Sequence, residues 1–96
     1  MTDKRKVWMN GRMVSEAQAT VPLLSHGFSR GSAIFEAFGV HEGPEGPLVF
    51  RMDEHLKRLQ RSAELLGMEL AYSTQEIIAA VAETVRTNFT GRGLIK

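Results

Sequence analysis

Apolar residues alternate with small or polar ones through the first half of this chain, and they recur at three- and four-residue steps through the second. Lys6 to Met9 and Arg12 to Val14 read as short strands. Asn10-Gly11 between them predicts a tight hairpin, because both positions tolerate a positive φ. Val21-Pro-Leu-Leu24 is an apolar connector whose proline argues against a central strand. Ser25 to Gly31, punctuated by two glycines, predicts a turn or a single helical turn.

Ala33 to His41 is expected to form a strand. With a period of two, Phe35, Ala37, Gly39 and His41 share one face, while Ile34, Glu36, Phe38 and Val40 share the other. A Gly/Pro-rich turn, Glu42 to Pro47, leads to a second apolar strand ending in Arg51. Pro47, Val49 and Arg51 share a face of that strand. If it coincides with the face of Phe35, Ala37 and Gly39, Arg51 overlooks a concavity lined by small residues.

Two helices follow. Asp53 is the expected cap of the first, with Leu56, Leu59, Ala63 and Leu66 on its apolar stripe and Gly67 at its end. Ser73-Thr-Gln-Glu76 is a capping box for the second, whose stripe is Ile77, Ile78, Val81, Val85 and Phe89. Thr90-Gly-Arg-Gly93 stops that helix, and Leu94-Ile95-Lys96 opens another strand. The expected fold is α+β, a mixed or antiparallel sheet with two helices on one face. A strand that opens at Leu94 presents an unpaired edge, so residues 1–96 are expected to be one domain of a truncated, longer protein.

Composition narrows the function. Hydrophobic residues make up 43% of the 96, which is ordinary for a globular domain. Twelve basic residues against eleven acidic ones leave a formal net charge of +1, too little basic excess for a nucleic-acid backbone to be the main partner. The absence of cysteine removes disulfides and thiolate metal sites, and fits a reducing compartment. No apolar run approaches the roughly 20 residues of a membrane span, so a cytoplasmic location is expected. His26, His41 and His55 lack metal-ligand spacing, and structural or solvated roles are expected for all three, with His55 as a packing or hydrogen-bonding residue. Ser25 and Ser29 have no nucleophile context, and no phosphate-cradling glycine loop occurs. Arg51 stands apart, because strand, turn, strand and helix form a scaffold that can aim a planar guanidinium at an anion.

Three blocks carry a resemblance: Val7-Trp-Met-Asn-Gly-Arg12, Leu24-Ser-His-Gly-Phe-Ser-Arg-Gly-Ser-Ala-Ile-Phe-Glu36, and Leu48-Val-Phe-Arg-Met-Asp-Glu-His-Leu-Lys-Arg-Leu59 with Ser62-Ala63. In order and spacing they resemble the class IV (fold-type IV) aminotransferases, most closely the branched-chain subgroup. The resemblance implies the small N-terminal domain of a two-domain enzyme, at least dimeric, that uses pyridoxal 5'-phosphate (PLP) to pass an amino group between an amino acid and a 2-oxo acid. It implies that Arg51 grips the cofactor phosphate and that Phe35, Gly39, Leu94, Lys96 and Arg30 line the substrate pocket. The family's Schiff-base lysine lies in the second domain, and none of Lys4, Lys6, Lys57 or Lys96 matches its motif; these residues alone are therefore expected to be inactive. Three positions depart from the pattern. Arg30 stands where relatives carry an aromatic, Gly39 replaces an arginine of some branched-chain enzymes, and Lys96 stands where those have arginine and aminodeoxychorismate lyase has lysine. The alternatives are a lyase of that type and a stand-alone small-molecule-binding or dimerisation module.

Overall fold

The computed structural model describes residues 5–88 and 91–96. Phe89, Thr90 and Lys4, named above, lie outside them. The expected α+β architecture is present, with the strands divided between two antiparallel sheets. Strand β1 (Lys6–Met9) pairs with β2 (Arg12–Ser15), Val7 opposite Val14 and Trp8 opposite Met13. Asn10 and Gly11 both adopt positive φ, 53° and 95°, as the two-residue hairpin requires. A 3-10 turn (Glu16–Gln18) and a connector lead to a five-residue helix, α1 (His26–Arg30). Strands β3 (Phe38–Gly43), β4 (Gly46–Val49) and β5 (Arg92–Ile95) form the second sheet, with β3 in the centre.

Helices α2 (Met52–Leu65) and α3 (Thr74–Asn88) cover the inner face of that sheet. Phe38 and Val40 meet Val81 and Val85 there, with Met52, Ile77, Val49 and Ile95 packed around them. Helix ends follow the sequence closely. Ser73 Oγ accepts from the Glu76 backbone N–H (3.1 Å) while Glu76 Oε1 accepts from the Ser73 N–H (2.9 Å), completing the capping box. At the end of α2, Gly67 turns left-handed (φ 70°). Its N–H donates to Glu64 and the Met68 N–H donates to Ala63, which satisfies two carbonyls of the last turn.

Three expectations fail at the centre of the fold. The strand foreseen from Ala33 begins at Phe38, which pairs with Ile95 at the end of the β3–β5 ladder. Residues 31–37 pair with no strand among the described residues, and they start with a turn in which the Ala33 N–H donates to the Gly31 carbonyl. Alternation nonetheless persists through that stretch, with Phe35 outward and Glu36 inward. Secondly, Val49 pairs with Val40, so the face of Pro47 and Val49 is the inner one and not that of Phe35 and Gly39. Finally, Arg51 and not Asp53 precedes α2. It sits in the left-handed region at φ 52° and ψ 43°, without a side-chain cap bond. The register of the hairpin explains both errors: the strand stops at Val49, and the chain turns through Phe50 and Arg51 into the helix.

Candidate functional site

The outer face of β3 and its neighbours collects four of the foreseen pocket residues. Gly39 lies directly opposite Leu94 in the ladder. Phe35 (68% exposed) and Leu94 (79%) stand open on the surface. The Lys96 ammonium lies 5.0 Å from the centre of the Phe35 ring, within cation–π range. Phe35, Leu94 and Lys96 border a cavity of about 690 Å3 that runs along β5 from Arg92 to Lys96 and reaches β1 at Lys6 to Trp8. Its floor is the core, at Phe38, Val81 and Val85. Its lining carries Arg5, Lys6, Arg92 and Lys96, with one carboxylate, Glu36, beside the apolar floor, a surface suited to a small anion with an apolar body. At Gly39 an added Cβ would stand 3.1 Å from His41 Nε2, so the histidine occupies the space where a side chain at 39 would begin.

Arg51 and Arg30 lie elsewhere. Neither borders the cavity. The Arg51 side chain is 59% exposed at the N-terminal end of α2. One guanidinium nitrogen donates to Glu54 Oε2 at 3.1 Å, and the guanidinium carbon lies 5.4 Å from the centre of the Phe50 ring. A guanidinium has five N–H donors, and among the described residues only this carboxylate engages one. The first turn of a helix adds a positive potential, partly offset here by Asp53 and Glu54. Arg30 is the last residue of α1, also exposed.

Between these two regions sits a cluster that the site reasoning missed. Glu36 has a side chain only 7% exposed. Its carboxylate contacts His55 Nδ1 at 2.7 Å, Arg58 Nε at 3.2 Å and the Arg58 terminal nitrogen at 3.1 Å. The hydrogen bond from His55 and then the Arg58 guanidinium hold its pKa below the ordinary glutamate value, against the opposing effect of desolvation. His55 also stacks on Phe38, with ring centres 4.5 Å apart and planes 14° from parallel. His55 is thus the packing and hydrogen-bonding residue it was expected to be. The sequence did carry a signal. Glu36 shares a face with Ile34, Phe38 and Val40, and a carboxylate on an apolar face needs partners.

Comparison with known proteins fixes the class. The sequence profile of amino-transferase class IV matches residues 33–96. The chain therefore belongs to the class IV aminotransferase family. The branched-chain-amino-acid aminotransferase of Salmonella typhimurium is 34% identical over 90 residues, 92% of this chain and 29% of that protein. Among solved structures, the branched-chain aminotransferase of Thermoproteus uzoniensis with norvaline superposes at a TM-score of 0.83 and 37% identity, over 94% of this chain and 32% of that one. The branched-chain amino acid aminotransferase of Thermobaculum terrenum, in its PLP form, gives 0.78 and 28%, over 94% and 30%. The chain thus spans a little under a third of the length of the relatives it matches.

Proposed function

We propose that this domain is one wall of a PLP-dependent aminotransferase acting on branched-chain amino acids and a 2-oxo acid. The observation that carries the reading is the class IV match over residues 33–96, a segment that includes Arg51 and the Phe35–Gly39–Leu94 face. In this reading residues 1–96 are the small N-terminal domain, and the reactive lysine comes from outside them. The complete enzyme is cytoplasmic and at least dimeric.

The residues present suit part of the cofactor. Arg51 offers a planar fork of donors with one ion-pair partner, Glu54, which fits the phosphate of PLP. When bound, PLP supplies the electron sink that lets an amino acid lose its α-proton and exchange its amino group. The chain's own residues bind and orient. Arg51 anchors the phosphate and so fixes the distance from α2 to the reacting carbon. Phe35 and Leu94 offer apolar area to a branched side chain, and Gly39, opposite Leu94 in the ladder, leaves its side-chain space to the His41 ring. Lys96, held near the Phe35 ring, offers a cation to the substrate carboxylate. Arg30, on α1, is assigned to the outer rim.

Lys96 also supports a second reading, a lyase of the aminodeoxychorismate type, because the lyase carries lysine at this position. One experiment separates the two. Incubate the complete PLP-loaded enzyme with leucine, then with 2-oxoglutarate, and follow the cofactor absorbance. Reversible conversion between the aldehyde and amine forms of the cofactor is the expected result. Pyruvate release from aminodeoxychorismate without such conversion would replace the transaminase reading with the lyase.

A further inference from the structure

The Glu36 carboxylate joins two parts of the molecule that the sequence keeps nineteen or more residues apart. On one side is the segment 31–37, which carries Phe35. On the other is α2, whose first residue follows Arg51 and whose first turn carries His55. The His55 N–H donates to the Arg51 carbonyl at 3.1 Å, so the histidine that holds Glu36 sits one helical turn from the arginine. His55 is itself clamped, with Phe38 stacked on its ring and Glu36 on its Nδ1. Arg58 closes the carboxylate from the next position along the same helix face, three residues on.

We propose that Glu36, with His55 and Arg58, is a positioning clasp that holds Phe35 in place for substrate by tying its segment to the helix that begins at Arg51. The inference deepens the aminotransferase reading and rests on it. Chain alternation supplies the lever. Glu36 points inward to α2, so Phe35 must point outward to the cavity edge and Lys96. Glu36 touches neither substrate nor cofactor in this account; it acts through Phe35.

The test uses the complete enzyme loaded with PLP, and compares Glu36→Gln, Arg58→Gln, Phe35→Ala and the doubles of the first two with Phe35→Ala. Glu36→Gln is expected to raise KM for the amino acid about ten-fold or more, as expected for a misplacement of about 1 Å. PLP affinity should stay within about two-fold, because Arg51 remains set by the helix backbone. On the Phe35→Ala background, neither clasp substitution should raise KM further. Should Glu36→Gln not fold, Arg58→Gln carries the same comparison, since the Arg58 side chain is 68% exposed and its loss leaves the His55 bond. A KM unchanged in the single clasp variants while Phe35→Ala does change it would overturn the clasp alone. So would effects that simply add to that of Phe35→Ala. An unchanged KM in Phe35→Ala would overturn both the assignment of Phe35 to the pocket and the clasp built on it.

Discussion

The α2 corner and the β5 edge solve different problems. At the corner, charge is satisfied within the chain: Glu36 is held by His55 and Arg58, and Arg51 leans on Glu54. Along β5, apolar surface is left open, with Leu94 79% and Phe35 68% exposed beside a cavity of about 690 Å3. Buried carboxylates must be answered locally, because leaving one unpaired is costly. Apolar area tolerates exposure and can await a later contact. The corner's charges are answered within the chain, while the apolar area along the edge stands open.

The sharpest way to break that contrast is to ask whether the open half works alone. These 96 residues, mixed with PLP, leucine and 2-oxoglutarate, should form no glutamate, and borohydride should trap no unique stoichiometric adduct on one lysine. Turnover would show that the β5 face needs nothing further. Stability gives the next largest separation. Phe38→Ala removes a ring that is 6% exposed and stacked on His55, and should cost about 3–5 kcal/mol in urea unfolding. Leu94→Ala, at a residue 79% exposed, should stay within about 0.5 kcal/mol. Equal losses would mean that the edge is already part of the core.

Association sharpens the same point. Sedimentation of these residues over a wide concentration range should show a reversible rise in mass, since the outer edge of β5 pairs with no strand among the described residues and apolar area flanks it. A strictly monomeric, folded species would show that the edge is closed. The smallest effect belongs to the corner. The pKa of Glu36 is lowered in the folded state by the bond from His55 and by Arg58. A group whose folded value lies below its unfolded one stabilises above the unfolded value, about 4.3 for glutamate, and that stabilisation fades as pH falls through the folded value. Urea midpoints should therefore drop on the acid side of about pH 4, and the acid limb should flatten in Glu36→Gln. An identical limb in the variant would mean that the carboxylate is not paired in solution.

Much of this was legible in the sequence, and the reasons differ by residue. Asn10-Gly11, Ser73 with Glu76, and Gly67 announce their structures because the determinants are local: positive φ at the turn, reciprocal capping, and a left-handed exit. The outward Phe35 follows from alternation. Register was not legible. Whether Val49 meets Val40 or its neighbour decides which face Pro47 and Val49 share, and a shift of one residue reverses the answer. Arg51 lay beyond that logic, because leaving the strand in a left-handed conformation is unusual for a residue with a side chain. The clasp was only half visible. Glu36 signalled a need for partners, but which cations answer it depends on how α2 packs across the segment.

The central claim is that Arg51 holds the cofactor phosphate while Arg30 does not. Titrating PLP into the apo forms of the complete enzyme carrying Arg51→Ala or Arg30→Ala tests it directly, by absorbance or fluorescence quenching. The account predicts that Arg51→Ala weakens binding by about 2–4 kcal/mol, the scale for removing one partner of a bidentate charged pair, and that Arg30→Ala leaves it nearly unchanged. Equal affinities in the two variants would contradict it.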